Sequence, residues 1–175
     1  MSPNFANATA ALLVPLAIII TYYDVRYRRI PNLFVAATLL SGIILNVTFG
    51  GWGGVLTSLK GCGLGFGLMF ILHLLGAMGA GDVKLFAAVG SVVGAQLVVP
   101  TFLVVVLTGG VLAVVSMVRS GSVRTTLHGV LQIFVGLMPG WKMPRFAVPA
   151  DRRHTIPYGV AITLGSLISL VVFRA

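Results

Sequence analysis

The chain has 175 residues, of which 58% are hydrophobic and only 9% are charged, whereas an average soluble domain is about 25% charged. This composition excludes an ordinary soluble domain and indicates an integral membrane protein. We interpret the net charge of +9 as setting the orientation of the chain in the membrane and attracting anionic lipid. It is not taken as a sign of nucleic-acid binding, because no soluble basic domain accompanies it. A single cysteine, Cys62, excludes an intramolecular disulfide framework and a CxxC zinc module.

Apolar runs of membrane-spanning length, about 20 residues each, predict an all-α bundle of about six transmembrane helices. The runs fall at residues 8–23, 33–49, 54–78, 83–97, 100–118 and 155–173. No basic region precedes the first run, so we expect a retained span and not a cleaved signal peptide. Within 83–118, Pro100 is taken as the turn; one kinked helix there would reduce the count to five.

Residues 119–154 are the one sizeable segment predicted outside the membrane. Apolar side chains recur there at helical spacing opposite polar ones, which predicts an amphipathic helix in the cytoplasmic interface, followed by a proline-rich loop. The sequence thus predicts a single membrane-embedded domain over 1–175 with one cytoplasmic loop.

The basic residues predict the orientation of this bundle. With the N-terminus outside, ten of the twelve Lys and Arg residues fall on cytoplasmic segments, and only Lys60 and Arg174 fall on the other side. This distribution follows the positive-inside rule. Lys60 lies about 9 Å inside the third run at 1.5 Å per residue, so its side chain can extend outward.

Three aspartates, Asp24, Asp82 and Asp151, are the only acidic residues. Two predicted crossings separate Asp24 from Asp82, which places both at the cytoplasmic face. A carboxylate at the edge of the membrane is costly and indicates function. Structural alternatives stay open: Asp82 could cap a helix N-terminus, and Asp24 could pair with Arg26 or Arg28. Asp151 lies beside two arginines and is interpreted as a solvated ion-pair partner.

The segment GAGD (79–82) surrounds the second acid with small residues. Gly79 and Gly81 permit close approach of another backbone, as a peptide substrate requires, although an ordinary turn between helices has a similar composition. Two carboxylates that share a proton across a water molecule can hydrolyse an amide. Their titration is coupled, so either acid could be the base. Lys84 either favours ionisation of Asp82 or anchors the helix at the headgroups.

The remaining polar residues suggest no metal site and no cofactor, because the histidines are scattered along the chain. His73 is interpreted as a packed or headgroup-facing residue. The run GCGLGFG (61–67) has glycines at GxxxG spacing, which predicts close helix packing.

The segments YYDVRYRRIPN (22–32) and GAGDVKL (79–85) resemble the paired motifs of the type IV prepilin peptidases, which are GxGD-type intramembrane aspartic proteases. IPYGVAI (156–162) is similar to a segment of the family's last helix, so the likeness covers nearly the whole chain. The resemblance implies that Asp24 and Asp82 are the catalytic aspartates. The other motif and substrate-approach residues that it implies are Gly79, Ala80, Gly81, Lys84, Ile30, Pro31 and Asn32.

The resemblance also implies a leader peptidase of the bacterial inner membrane that cuts prepilins at the cytoplasmic face, for pilus biogenesis or type II-like secretion. Its partners would be a prepilin with a short basic leader and hydrophobic helix, and membrane lipid. Larger members carry two CxxC pairs associated with N-methylation; this chain enters the first helix directly, so N-methyltransferase activity is not expected. The short form is similar to the prepilin peptidases of tight-adherence (Flp) pilus systems, and archaeal preflagellin peptidases are another short branch.

Two functions of other classes stay open. Asp24 and Asp82 could serve a small proton- or ion-coupled transporter, or the chain could be a structural subunit of a secretion assembly. The lack of an internal inverted repeat and the position of both acids near one face favour the peptidase.

Overall fold

The computed structural model describes residues 3–76, 78–119 and 158–173. These residues form five α-helices, and no β-strand occurs in the described ranges. The helices are α1 (Pro3–Tyr27), α2 (Asn32–Leu74), α3 (Ala80–Val93), α4 (Ala95–Arg119) and α5 (Tyr158–Val172). The prediction of an all-α protein is confirmed.

Three of these helices are long and apolar enough to cross a membrane, namely α1 over Asn4–Tyr27, α2 and α4. The helix α5 is also apolar but has only 15 residues. The lengths and composition of the helices agree with an integral membrane protein. The number of about six crossings stays a prediction.

The 43-residue helix α2 reverses direction at Gly51. This residue has φ 54° and ψ −138°, a backbone conformation that glycine adopts without the steric cost of a Cβ. In a straight helix residues 46 and 54 would lie about 12 Å apart, yet a Cβ on Gly54 would collide with the carbonyl of Asn46. The two halves, 32–50 and 52–74, therefore fold back on each other.

Both halves of α2 pack against α3 through glycines. A Cβ on Gly42 would lie 2.5 Å from Ser91 Oγ, and a Cβ on Gly61 would collide with the carbonyl of Gly90. Residues 42 and 61 would be about 28 Å apart along a straight helix. Residues 42 and 61 nevertheless contact adjacent residues of α3. The helix α2 is therefore a helical hairpin, and both of its halves pack against α3.

The predicted GxxxG packing holds for one glycine pair and not for the other. A Cβ on Gly61 or Gly65 would meet the backbone of α3 closely, whereas Gly63 and Gly67 have nothing within 4 Å. The two glycine pairs lie on different faces of the same helix, and only the face with Gly61 and Gly65 approaches α3.

A buried asparagine joins the hairpin to α3. Asn46 is 6% exposed, and its Nδ2 donates to the carbonyls of Gly42 at 3.0 Å, Ser91 at 3.0 Å and Val92 at 3.1 Å. From the other half of α2, the hydroxyl of Ser58 donates to the same Ser91 carbonyl at 2.9 Å. Such bonds hold helices together where no water can replace them.

We expect Asn46→Leu to lower the stability of the detergent-solubilised protein by about 1–2 kcal/mol, because buried carbonyls lose their donor. Thermal unfolding would show this as a lower midpoint. Thr57→Val is the matched control, since Thr57 donates only to Gly53 of its own helix, at an exposed position. Equal midpoints for both variants would contradict a stabilising role of Asn46.

The break between α3 and α4 lies at Gly94 and not at Pro100, so the predicted turn is wrong. Gly94 has φ 78°, and its N–H bonds to the carbonyl of Gly90 as α3 ends. Pro100 is the sixth residue of α4, so the helix continues through it without the one hydrogen bond that an N–H at this position would donate. Since α3 and α4 are separate helices, the alternative of one kinked helix over 83–118 is also wrong.

The centre of the fold is α3, whose buried residues include Leu85, Phe86 and Val92. Side-chain pairs join the other helices: Thr21 of α1 contacts Thr163 of α5 at 3.0 Å, and Thr101 of α4 contacts Ser169 of α5 at 2.8 Å. Large apolar side chains of α1, α2 and α4 point outward, as lipid-facing residues would. The packing of these helices thereby fixes the positions of the C-terminal end of α1 and the N-terminal end of α3, which carry Asp24 and Asp82.

The described residues 110–119 complete α4 and include no buried residue. The predicted amphipathic helix and loop of 119–154, with Asp151, lie outside the described residues apart from Arg119.

Candidate active site

Asp24 lies in the last turn of α1 and is only 7% exposed. Its Oδ2 has no hydrogen-bond partner among the described residues. The positive charge of Arg28 acts on this carboxylate, while an ion pair of Asp24 with Arg26 or Arg28 stays a prediction. A buried carboxylate at a helix C-terminus is an unusual arrangement that suits a reactive group.

The N-terminus of α5 approaches the carboxylate of Asp24. The backbone amides of Gly159 and Val160 interact with it, and a Cβ on Gly159 would lie 2.7 Å from Oδ2. The first N–H groups of a helix lack partners within the helix, and that end of the macrodipole favours an anion. Therefore α5 compensates for the position of Asp24 at the C-terminus of α1.

Asp82 is the third residue of α3 and is partly buried. Its Oδ2 accepts a hydrogen bond of 3.1 Å from the N–H of Gly79, the N-cap residue. The capping role that the sequence left open for Asp82 is therefore present. It does not exclude catalysis, because Oδ1 is not used in this bond.

Burial is the main cause that raises the pKa of Asp82 to about 6, and the charge of Asp24 adds to it, while the Gly79 N–H opposes it. Asp82 precedes the apolar run 83–97 and lies outside the three helices of spanning length. A carboxyl group with a pKa near 6 can both hold and release a proton near neutral pH.

The structure brings Asp24 and Asp82 within electrostatic range of each other. The start of α5 lies near both acids: Gly159 contacts Asp24, and the charge of Asp82 acts on Tyr158. Sequence reasoning did not select Tyr158 or Gly159 as site residues. The signal was present in the segment IPYGVAI, which had been used only as a sign of resemblance.

The other predicted site residues lie at the helix ends beside the acids. Pro31 is the N-cap of α2 with φ −64° and ψ 131°, and Asn32 and Ala80 are the first residues of α2 and α3. A Cβ on Gly81 would lie 3.9 Å from Ile30, so the two motifs meet. Ile30 of the first motif therefore lies beside the first turn of α3, which carries Asp82.

Lys84 points to the surface. Its side chain is exposed, and it makes no ion pair with Asp82 within the described part of the chain. Of the two roles considered for Lys84, this placement agrees better with anchoring at the headgroups.

His73, in the last turn of α2, contacts the loop that precedes Asp82. Its Nδ1 lies 2.8 Å from the carbonyl oxygen of Met78, and its ring is partly buried. The interpretation as a packed or headgroup-facing histidine missed this bond, because the loop geometry that creates it cannot be inferred from residue spacing.

The described residues contain no group of three or more His, Cys, Asp or Glu side chains that could hold a metal ion. His128 and His154 lie outside the described residues. The site is thus formed by two carboxylates, helix-terminal backbone groups and the glycine-rich loop.

An all-helical chain of this apolarity, with two interacting carboxylates at helix ends, is a membrane protein with a candidate acid–base site. Residues 11–114 match the model of the type IV leader peptidase family. This match covers more than half of the chain, which therefore belongs to the type IV leader peptidase family.

A curated relative agrees with this family. The chain is 24% identical over 165 residues to the prepilin leader peptidase/N-methyltransferase of Bacillus subtilis (strain 168), across 91% of the chain and 54% of that protein. The chain thus spans about half the length of this relative. No solved structure shows significant similarity to the chain.

Proposed function

We propose that the chain is a prepilin leader peptidase in which Asp24 and Asp82 form the catalytic pair. The observation that carries this proposal is the junction of α1, α3 and α5, where the charges of the two carboxylates act on each other and the start of α5 contacts Asp24. Membership of the family supplies the reaction class, and the two acids supply groups that can perform it.

In the proposed reaction a water molecule lies between the carboxyls. The ionised aspartate removes a proton from this water as its oxygen attacks the scissile carbonyl carbon, and the protonated aspartate donates its proton to the carbonyl oxygen. The tetrahedral gem-diol then collapses: the C–N bond breaks, the leaving amine takes a proton from the newly protonated aspartate, and the other aspartate takes a proton from one hydroxyl of the gem-diol. The products are a carboxylic acid and an amine, and the pair returns to its starting protonation. Mutual repulsion keeps the pair singly ionised, and because the titration is coupled either aspartate can be the base.

The glycine-rich loop is the proposed approach for the substrate backbone. Gly79, Ala80 and Gly81 are exposed, and the methyl group of Ala80 is the only side chain heavier than hydrogen in this segment. An extended peptide can lie closely beside such a segment. Ile30, packed near Gly81, would border the same approach, together with Pro31 and Asn32.

The proposed setting is the bacterial inner membrane, with about six crossings, the N-terminus outside and the site facing the cytoplasm. The reversal at Gly51 supports two crossings by α2, and Trp52, which is 80% exposed beside it, is suited to a membrane interface. Residues 119–154 would form the cytoplasmic loop of a single membrane-embedded domain.

The proposed substrate is a prepilin with a short basic leader and a hydrophobic helix, of the kind that tight-adherence (Flp) pilus systems use. We propose peptidase activity without N-methylation, because the 175 residues contain a single cysteine and so none of the CxxC pairs associated with that second activity.

Reconstitution tests the proposal against a transporter. The purified chain in proteoliposomes is mixed with an Flp-type prepilin, and mass spectrometry follows loss of the leader while a pH-sensitive dye follows proton flux. We expect cleavage without flux. Proton flux without cleavage would reject the peptidase and favour the transporter.

A further inference from the structure

The short connection between α2 and α3 is fixed at both ends. At its start, Gly76 has φ 75°, and its N–H donates to the carbonyl of His73 at 2.9 Å, which ends α2 as a glycine C-cap does. At its end, Gly79 is the N-cap of α3. Glycine conformations therefore fix the end of α2 and the start of α3, which carries Asp82.

One peptide group in this connection is hydrogen-bonded on both sides. Its carbonyl, from Met78, lies 2.8 Å from Nδ1 of His73. Its N–H, from Gly79, donates to Oδ2 of Asp82 at 3.1 Å. A carbonyl oxygen can only accept, so Nδ1 of the imidazole carries the hydrogen in this bond.

We propose that His73 is a positioning residue for Asp82, acting through the Met78–Gly79 peptide group. The bond from the imidazole fixes the plane of this peptide and so aims its N–H at the carboxylate. A hydrogen bond to a carbonyl also polarises the amide and strengthens its N–H as a donor. His73 thereby holds one oxygen of Asp82 in place and leaves the other oxygen for the reaction.

The variants that test this role differ in whether the side chain at position 73 carries a hydrogen-bond donor. His73→Leu removes the donor, whereas His73→Asn keeps a side-chain N–H on the atom attached to Cγ, where the histidine carries Nδ1. Thr57→Val is the matched control: it removes a side-chain bond from the same half of α2, 16 residues or about 24 Å along the helix.

The effect on prepilin cleavage rests on the proposed peptidase function. We expect His73→Leu to lower kcat about tenfold, the factor that corresponds to one hydrogen bond. KM should stay nearly unchanged, because His73 is not among the residues that the substrate backbone is proposed to contact. His73→Asn and Thr57→Val should cleave like the wild type. If His73→Leu cleaves at the normal rate, or if His73→Asn is as slow as His73→Leu, the donor role is wrong.

A second measurement is independent of activity. Amide hydrogen exchange of the peptide covering residues 75–82 should be faster in His73→Leu than in the wild type and His73→Asn, since the Gly79 N–H loses its fixed orientation. Unchanged exchange would overturn the positioning role even if cleavage falls. If the wild type cleaves no prepilin, the proposed function fails, and the exchange measurement alone decides on His73.

Discussion

Asp24→Asn and Asp82→Asn should each reduce prepilin cleavage by at least about 10³-fold, within the range expected for loss of a general acid or base. Asparagine keeps the volume of the side chain and can still form hydrogen bonds, but it cannot take or release the proton. The measurement is the mass shift of a co-expressed Flp-type prepilin, followed by initial rates for the purified variants.

Asp151→Asn is the matched control for these two variants. It removes the third and last carboxylate of the chain, which the sequence predicts to be solvated among arginines, so cleavage should stay at the wild-type level. All three variants are compared at equal amounts in the membrane. If cleavage persists in Asp24→Asn or Asp82→Asn, the acid concerned is structural, and the dyad is rejected.

The sequence was sufficient to predict the helical class and to select the two acids as candidates, because both steps use local signals. Apolar runs predict helices wherever they occur, and a carboxylate in so apolar a chain is conspicuous. Even the reversal of α2 was anticipated as a gap between two runs, where Gly51 now shows the backbone conformation that makes it.

The errors and omissions concern contacts between distant parts of the chain. Pro100 was taken as the turn because a proline is a strong local breaker, but α4 continues through it, and the break lies at Gly94. Residue spacing could not show that the N-terminus of α5 would face Asp24, 135 residues earlier in the sequence. Nor could it show that a peptide group would join His73 to Asp82.

The contact between α5 and Asp24 leads to the second large effect: Gly159→Ala should lower cleavage by about 10- to 100-fold. The added Cβ would lie 2.7 Å from Oδ2 and 2.9 Å from Cγ of Asp24, so that either the carboxylate or the start of α5 must move. Overpacking of this kind typically costs about 1–3 kcal/mol, and each 1.36 kcal/mol lost from the transition state is a factor of ten in rate.

Gly63→Ala is the control for this prediction, since a Cβ there meets nothing within 4 Å; it should leave both cleavage and the unfolding midpoint unchanged. Measuring rate and midpoint together distinguishes two ways in which Gly159→Ala could act. A lower rate at a nearly normal midpoint indicates that Asp24 has moved within an intact fold, whereas a matching fall in midpoint indicates that α5 has been displaced. Wild-type rate and midpoint in Gly159→Ala would contradict the close approach of α5 to Asp24, and with it the compensation of that buried charge by a helix N-terminus.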